Sequence, residues 1–365
     1  MKDDAALRIP LADGREDCRL LADLAAAAAV EDRGEASIAA SVDRLRAAGW
    51  LGAGTPEPDG LFTRLVRLAE ANLSLARLYE GHVNALRLAR TLGDAEVWAE
   101  TRALADGGAL LGVWGADGAT PLSIDGERLA GGKRFASGLG VVSHAVVTLG
   151  QGEAVRLALL DVSDPARHRP GSWRKTGMRA TVSGDFDTGG MLASALRWVG
   201  GPGRYLEEPG FIGGTWRIAA VQLGGTLGLL RAAADELAAL GRLEAEAQVA
   251  RLSPVLTRAL AAGAFVRRAA RVAEGAAGQA EPERAAALSA QARLLTEEVG
   301  QDAIAAVERS VGLAHFDEEA RTGQIARDLA TYMRQAARDA FLQRAGRWCL
   351  TRDEPFSALL DDPDA

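Results

Sequence analysis

Histidine is scarce in this chain: there are four in 365 residues, alongside two cysteines, four methionines and three tyrosines. Cys18 and Cys349 stand near opposite ends, so they build no disulfide framework and suggest a reducing, cytoplasmic setting. The histidines and cysteines show no ligand spacing, so no metal site is expected. A basic excess is missing too. Lys and Arg total 42 against 49 Asp and Glu, a net charge of −7, which argues against a nucleic-acid partner. The alanine-rich run at residues 20–30 holds Asp23 and is too short to span a bilayer. The start, "MKDDAALRIPLADGRED", lacks the apolar core of a signal peptide, so no membrane partner is expected. Neither GxxxxGK[ST] nor a strand-linked GxGxxG is present, and no Ser-His-Asp or Cys-His set can be placed.

What is present changes character twice along the chain. With 48% hydrophobic and 25% charged residues, 365 residues imply a folded protein of two or three domains. Residues 1–108 read as an N-terminal helical domain. Alanine- and leucine-rich stretches such as "DCRLLADLAAAAAVEDRG" and "ASIAASVDRLRAAGW" are punctuated there by Gly and Asp. Residues 109–205 read as a central β domain, barrel or sandwich: "ALLGVWG", "HAVVTLG" and "VRLALLDVSD" are short, β-rich and bounded by turns. The pairs Asp125-Gly126 and Gly131-Gly132 suggest a meander. Residues 206–365 read as a C-terminal four-helix bundle. Its expected helices start at "RIAAVQLGG", "PVLTRAL", "PERAAAL" and "QIARDLA". The fold class is therefore α+β and multidomain.

Two local features raise questions of chemistry. In "ARLYEGHVNALRL", Leu75, Leu78, His82, Ala85, Leu86 and Ala89 form an apolar helical stripe, with Arg77, Glu80, Asn84 and Arg87 mostly off it. An imidazole in such a stripe is either a core histidine bonded to the backbone or a group facing a reaction cavity. Gly224, Gly225 and Gly228 interrupt the helix "AAVQLGGTLGLL", where each glycine costs about 1 kcal/mol against alanine. They serve a close helix crossing or leave room for a ligand. Because residues 223–237 are alanine-rich and apolar, this face is also expected to pair subunits in a homodimer or homotetramer.

The order helices, β region, four-helix bundle resembles the acyl-CoA dehydrogenase superfamily of flavoproteins over nearly the whole chain. The likeness is carried by "SLARLYEGHVNALRL", "GVWG…LAGGKRFASG", "KTGMRATVSGDFD", "LGGTLGLLRAAADE" and "VERSVGL…RDLATYMRQAARDAFL". It implies FAD between the β region and the bundle, held by Trp114, Phe135, Ser137, Gly138, Arg334 and Gln335. Phe135 and Ser137 match the aromatic and hydroxyl residues that cover the flavin ring in that family. The implied reaction is oxidation of the CH–CH group of an acyl thioester such as acyl-CoA, with the electron acceptor unknown. The chain departs from the pattern at the proton-abstracting glutamate. Ala336-Ala337 follow Arg327-Asp328 where Glu-Gly is usual, and the alternative place reads Trp216-Arg217-Ile218. "GRLEAEAQ" replaces the arginine-rich turn that grips the FAD pyrophosphate, and Trp114-Gly115-Ala116-Asp117 replaces Thr-Glu-Pro-Gly. Some flavin monooxygenases of the superfamily carry a histidine on the helix of His82 and a hydroxyl at the place of Ser137. By that likeness His82 is the candidate catalytic residue, lining the flavin-facing cavity opposite Phe135 and Ser137. A non-catalytic scaffold that kept the fold is the third reading.

Overall fold

The computed structural model describes residues 14–334 and 337–360. Five helices come first: α1 (Gly14–Asp32), α2 (Ala39–Ala47), α3 (Pro58–Ala71), α4 (Leu73–Leu92) and α5 (Ala95–Asp106). Side-chain caps set the boundaries. Asn72 separates α3 from α4 and accepts the Leu75 N–H, and Asp94 starts α5 by accepting the Val97 N–H. The Asn72 amide also donates to Glu31 Oε2 at 2.7 Å, which ties α4 to α1.

Nine strands follow: β1 (Leu110–Trp114), β2 (Ser123–Asp125), β3 (Arg128–Ala130), β4 (Gly132–Ala136), β5 (Val142–Leu149), β6 (Arg156–Asp161), β7 (His168–Arg169), β8 (Gly184–Asp187) and β9 (Arg197–Val199). The region expected as a barrel or sandwich is built from three small sheets. They are β1-β5-β6-β9, the hairpin β2-β3 turning at Gly126, and β4-β8-β7. The β1–β5 pair is parallel and the rest are antiparallel. From Ala145 to Leu149 β5 is buried on both faces, and four of those five residues are apolar.

The C-terminal helices are α6 (Trp216–Ala239), α7 (Glu246–Glu274), α8 (Ala276–Ala280), α9 (Pro282–Val311), α10 (Arg321–Tyr332) and α11 (Arg338–Leu350). Helices α6, α7 and α9 pack on one another, and α3 completes the group against α6. Two expected boundaries move. The first bundle helix ends at Ala239, and α7 runs through Pro254, which sits inside it rather than at its start. The expected final helix divides into α10 and α11, with Ala337 in the left-handed region at φ 61°. Helix α7 is long and apolar enough by composition to cross a membrane, yet one face is packed on α6 and α9.

The glycines of α6 serve a close crossing within the chain. A Cβ on Gly224 would lie 2.2 Å from the Val66 carbonyl oxygen of α3, and one on Gly228 would lie 2.7 Å from that of Glu70. Only glycine lets the two backbones approach this closely. Leu223, Leu229, Leu230 and Leu237 are buried against the chain's own helices. The face expected to pair subunits is therefore already covered.

Candidate active-site cleft

A cleft of about 810 Å³ opens between α4, the end of β1, the irregular segment 204–215, the first turn of α6, α9 and α11. Its size lies in the usual range for small-molecule sites. The face of α4 turned to it is polar: Glu80, Asn84, Arg87 and Thr91 recur at i, i+4, i+7 and i+11. Val113 and Gly115 come from β1 and its exit, Tyr205 and Phe211 from the irregular segment, and Arg217 and Ile218 from α6. Tyr205 and Phe211 meet edge to face at 5.1 Å, giving that wall an aromatic lip.

A linked set of charges forms one side of the cleft. Arg77 donates to Glu80 Oε2 at 2.8 Å, and the Asn84 amide donates to Glu80 Oε1. Arg217 Nε donates to Asn84 Oδ1 at 2.5 Å, and its Nη1 donates to Glu274 Oε1 at 2.7 Å. The same Glu274 oxygen accepts the Trp216 indole N–H at 2.9 Å, and Oε2 pairs with Arg87. Glu80, Arg217 and Glu274 are buried, so these bonds act where water screens little. Burial pushes the Arg87 guanidinium down to about 10, with like-charged Arg217 adding to the effect and Glu274 opposing it. Nearer the mouth, Glu208 accepts the N–H groups of Ile212 at 2.9 Å and Gly213 at 3.1 Å and pairs with Arg344 at 3.3 Å. Burial raises its carboxyl above the ordinary range against those donors.

His82 lies elsewhere. It is 0% exposed, on the side of α4 that packs against β1. Its Nδ1 accepts the Leu111 N–H at 3.1 Å, which places the proton on Nε2. Nε2 has only the Leu51 carbonyl as a marginal acceptor, outside good hydrogen-bond geometry. Tyr79 stacks on the ring at 6.2 Å. Burial pushes the imidazole down to about 4. His82 is thus a neutral core residue joining α4 to β1, and it lines neither the cleft nor a wall opposite Phe135 and Ser137.

The four sequence-selected residues of the β region do come together. Trp114 is buried, stacks obliquely on Phe186 at 5.4 Å, and donates its indole N–H to the Ser137 carbonyl at 3.1 Å. Ser183 Oγ donates to Ser137 Oγ at 3.0 Å, and Gly138 turns the chain at φ +84°. Phe135 is 48% exposed, with Trp173 edge-on at 6.0 Å and the Arg134 guanidinium 4.8 Å from its ring. Its φ of 56° is left-handed, which a bulky side chain rarely adopts, and it sits where the β4–β8 register shifts. Arg334 is apart from this group. It is 62% exposed and lies 3.7 Å from Glu297. Gln335 lies outside the described residues, as does Ala336.

The cleft residues were off the apolar stripe or far away in sequence. Glu80, Asn84 and Arg87 carry a legible signal, a second stripe at helical period on an otherwise apolar helix. Arg217 and Glu274 carry none, since only the packing of α6 and α7 brings them to α4.

No family model matches the chain, and no curated protein does. Solved structures do. The dibenzothiophene monooxygenase TdsC from Paenibacillus sp. A11-2 superposes with a TM-score of 0.77 at 18% identity, over 93% of this chain and 97% of its own. A nitrososynthase from Micromonospora carbonacea var. africana gives 0.76 at 20% identity, over 95% and 99%. The methanesulfinate monooxygenase MsuC from Pseudomonas fluorescens gives 0.69 at 18% identity, over 95% and 98%. Together with the element order, these likenesses bear out the resemblance at the level of architecture: the chain has the acyl-CoA dehydrogenase-like fold.

Proposed function

We propose that this chain is a flavin-dependent oxidoreductase of the monooxygenase kind, with FMN as its cofactor and the cleft as its substrate site. The observation that carries this reading is the displayed face at Phe135 and Ser137. A strained backbone holds an aromatic ring in solvent, and strain retained in this way belongs to sites of function. A flat heteroaromatic ring fits against such a face, and the Ser137 hydroxyl lies two residues on. TdsC, which shares the fold, has been solved with FMN bound and with FMN and indole together. The missing arginine-rich turn supports FMN over the FAD expected by resemblance, because FMN has no pyrophosphate to grip.

Bound and reduced, a flavin supplies the electrons that activation of oxygen requires. The chain's own residues position it. Phe135, braced by Trp173, supports the ring. Ser137 Oγ is held at 3.0 Å by the buried Ser183 hydroxyl. Trp114 fixes the Ser137 backbone from the interior. The polar side of the cleft orients the substrate through Asn84, Arg87 and Arg217.

The carboxylates of the cleft support this reading over α-proton abstraction from an acyl thioester. Glu80 and Glu208, which line the cleft, each accept from two or more donors, Glu207 pairs with Arg204 at 2.7 Å, and Glu274 behind the wall accepts from Trp216 and Arg217. A general base must offer a lone pair to its proton within hydrogen-bond reach. Glu80 and Glu208 are pinned to fixed donors by these bonds, and neither stands at the two places where the superfamily's proton-abstracting glutamate is usual. The test is flavin extraction from the purified protein, followed by two assays. Oxygen uptake with reduced FMN supports the proposal. Anaerobic bleaching by an acyl-CoA, or a protein that takes up no flavin, overturns it.

A further inference from the structure

Two guanidinium groups share one carboxylate on the inner side of the cleft. The linked set comprises Arg77, Arg87 and Arg217 against Glu80 and Glu274, so three positive charges face two negative ones. The next charges outward are grouped among themselves: Arg204 with Glu207, and Arg344 with Glu208 and Glu283. Arg217 is held rigidly, with Nε on Asn84 and Nη1 on Glu274. A Cβ on Gly214 would come within 2.5 Å of its Nη2, so glycine at that place leaves the guanidinium its room at the cleft wall. Arg87 gives one edge to Glu274 and keeps its side chain 34% exposed toward the cleft.

We propose that the substrate of this cleft carries an oxyanion, a carboxylate or sulfonate-type group, which is received by Arg87 and Arg217. The inference rests on the cleft being the substrate site. The guanidinium plane offers paired N–H donors that match two oxygens of such a group. Desolvation of the site as the ligand enters strengthens the contact further. The depressed Arg87 agrees with this, because Arg217 is among its causes and a bound anion relieves that repulsion.

The experiment titrates the purified full-length protein with benzoate and benzenesulfonate, and separately with benzamide and benzylamine, which share the ring without the negative charge. The indole of Trp216, bonded to Glu274, provides a fluorescence signal beside the site, and calorimetry checks it. Saturable binding of the two anions, with the amide and amine far weaker, is expected. Arg87→Gln should weaken the anions about ten- to hundredfold, the range of losing a charge-assisted hydrogen bond, and Arg87→Lys should recover part of it. Circular dichroism confirms that each variant is folded. Equal binding of benzamide and benzoate, no binding of any probe, or an unchanged affinity in folded Arg87→Gln overturns the proposal. Because the readout needs no flavin, a protein that takes up no added FMN or FAD yet binds benzoate would refute the flavin reading and leave this one standing.

Discussion

Replacing His82 with phenylalanine separates a structural role from a chemical one. The ring is kept in shape while the Nδ1 acceptor is lost, so the buried Leu111 N–H is left without its partner. An orphaned buried donor costs about 1–3 kcal/mol, partly offset because the Nε2–H, which has no good partner, is removed as well, so a loss of about 1 kcal/mol is expected at pH 7.5. Acid adds a second term. The imidazole falls from 6.5 in the unfolded chain to about 4 in the folded one, so the unfolded state binds the extra proton between those values. Stability contributed above pH 6.5 is therefore lost as the pH falls toward 4, by about 3 kcal/mol in full. His82→Phe lacks this term, so its deficit relative to the parent should shrink or reverse by pH 4. Urea denaturation at pH 7.5, 5.5 and 4.5, followed by circular dichroism of both proteins, measures the difference directly. The folded variant should keep its flavin affinity and most of its turnover. A variant as stable as the parent at every pH, yet slowed about a hundredfold or more, would refute the core assignment and restore His82 as a proton-handling group.

Glu274→Gln should destabilise by about 3–5 kcal/mol in denaturant melts, because two guanidiniums and an indole lose their shared charge. Adding Arg87→Met should recover part of that loss. Asp328 is raised to about 7, first by burial and then by Asp32, while its oxygen accepts the Met178 N–H. Its protonated form is the folded preference, so stability falls as the pH rises from about 4 to 7, and Asp328→Asn should remove that slope and be the more stable protein at pH 8. Gly224→Ala should cost about 2–3 kcal/mol in the same melts, since its methyl would strike the Val66 carbonyl across the α3–α6 crossing.

How much of this was legible in the sequence follows from which signals are local. The Asp125-Gly126 turn and the apolar periodicities are local, and the helix–strand–helix order came through them. The glycine notch was legible as a crossing, but its partner was not, because nothing near Gly224 in sequence points to Val66. The apolar stripe put His82 on a buried face correctly. Periodicity says nothing about what lies beneath, and a strand N–H lies there rather than a cavity. The polar residues off that stripe carried no assignment in the sequence, and they become the cleft wall only because α6 and α7 bring Arg217 and Glu274 to them. The break between α10 and α11 falls at Ala337, where neither glycine nor proline announces it.

The central claim is that the Phe135–Ser137 face receives a flavin. Titrating the purified chain, freed of any bound flavin, with FMN and following the quenching of flavin fluorescence tests it most directly. The account predicts saturable one-to-one binding that is weakened about tenfold or more by Phe135→Ala, the loss of one well-packed aromatic contact, with folding intact. Failure of the parent protein to bind FMN or FAD, or an affinity indifferent to Phe135→Ala and Ser137→Ala together, would contradict it.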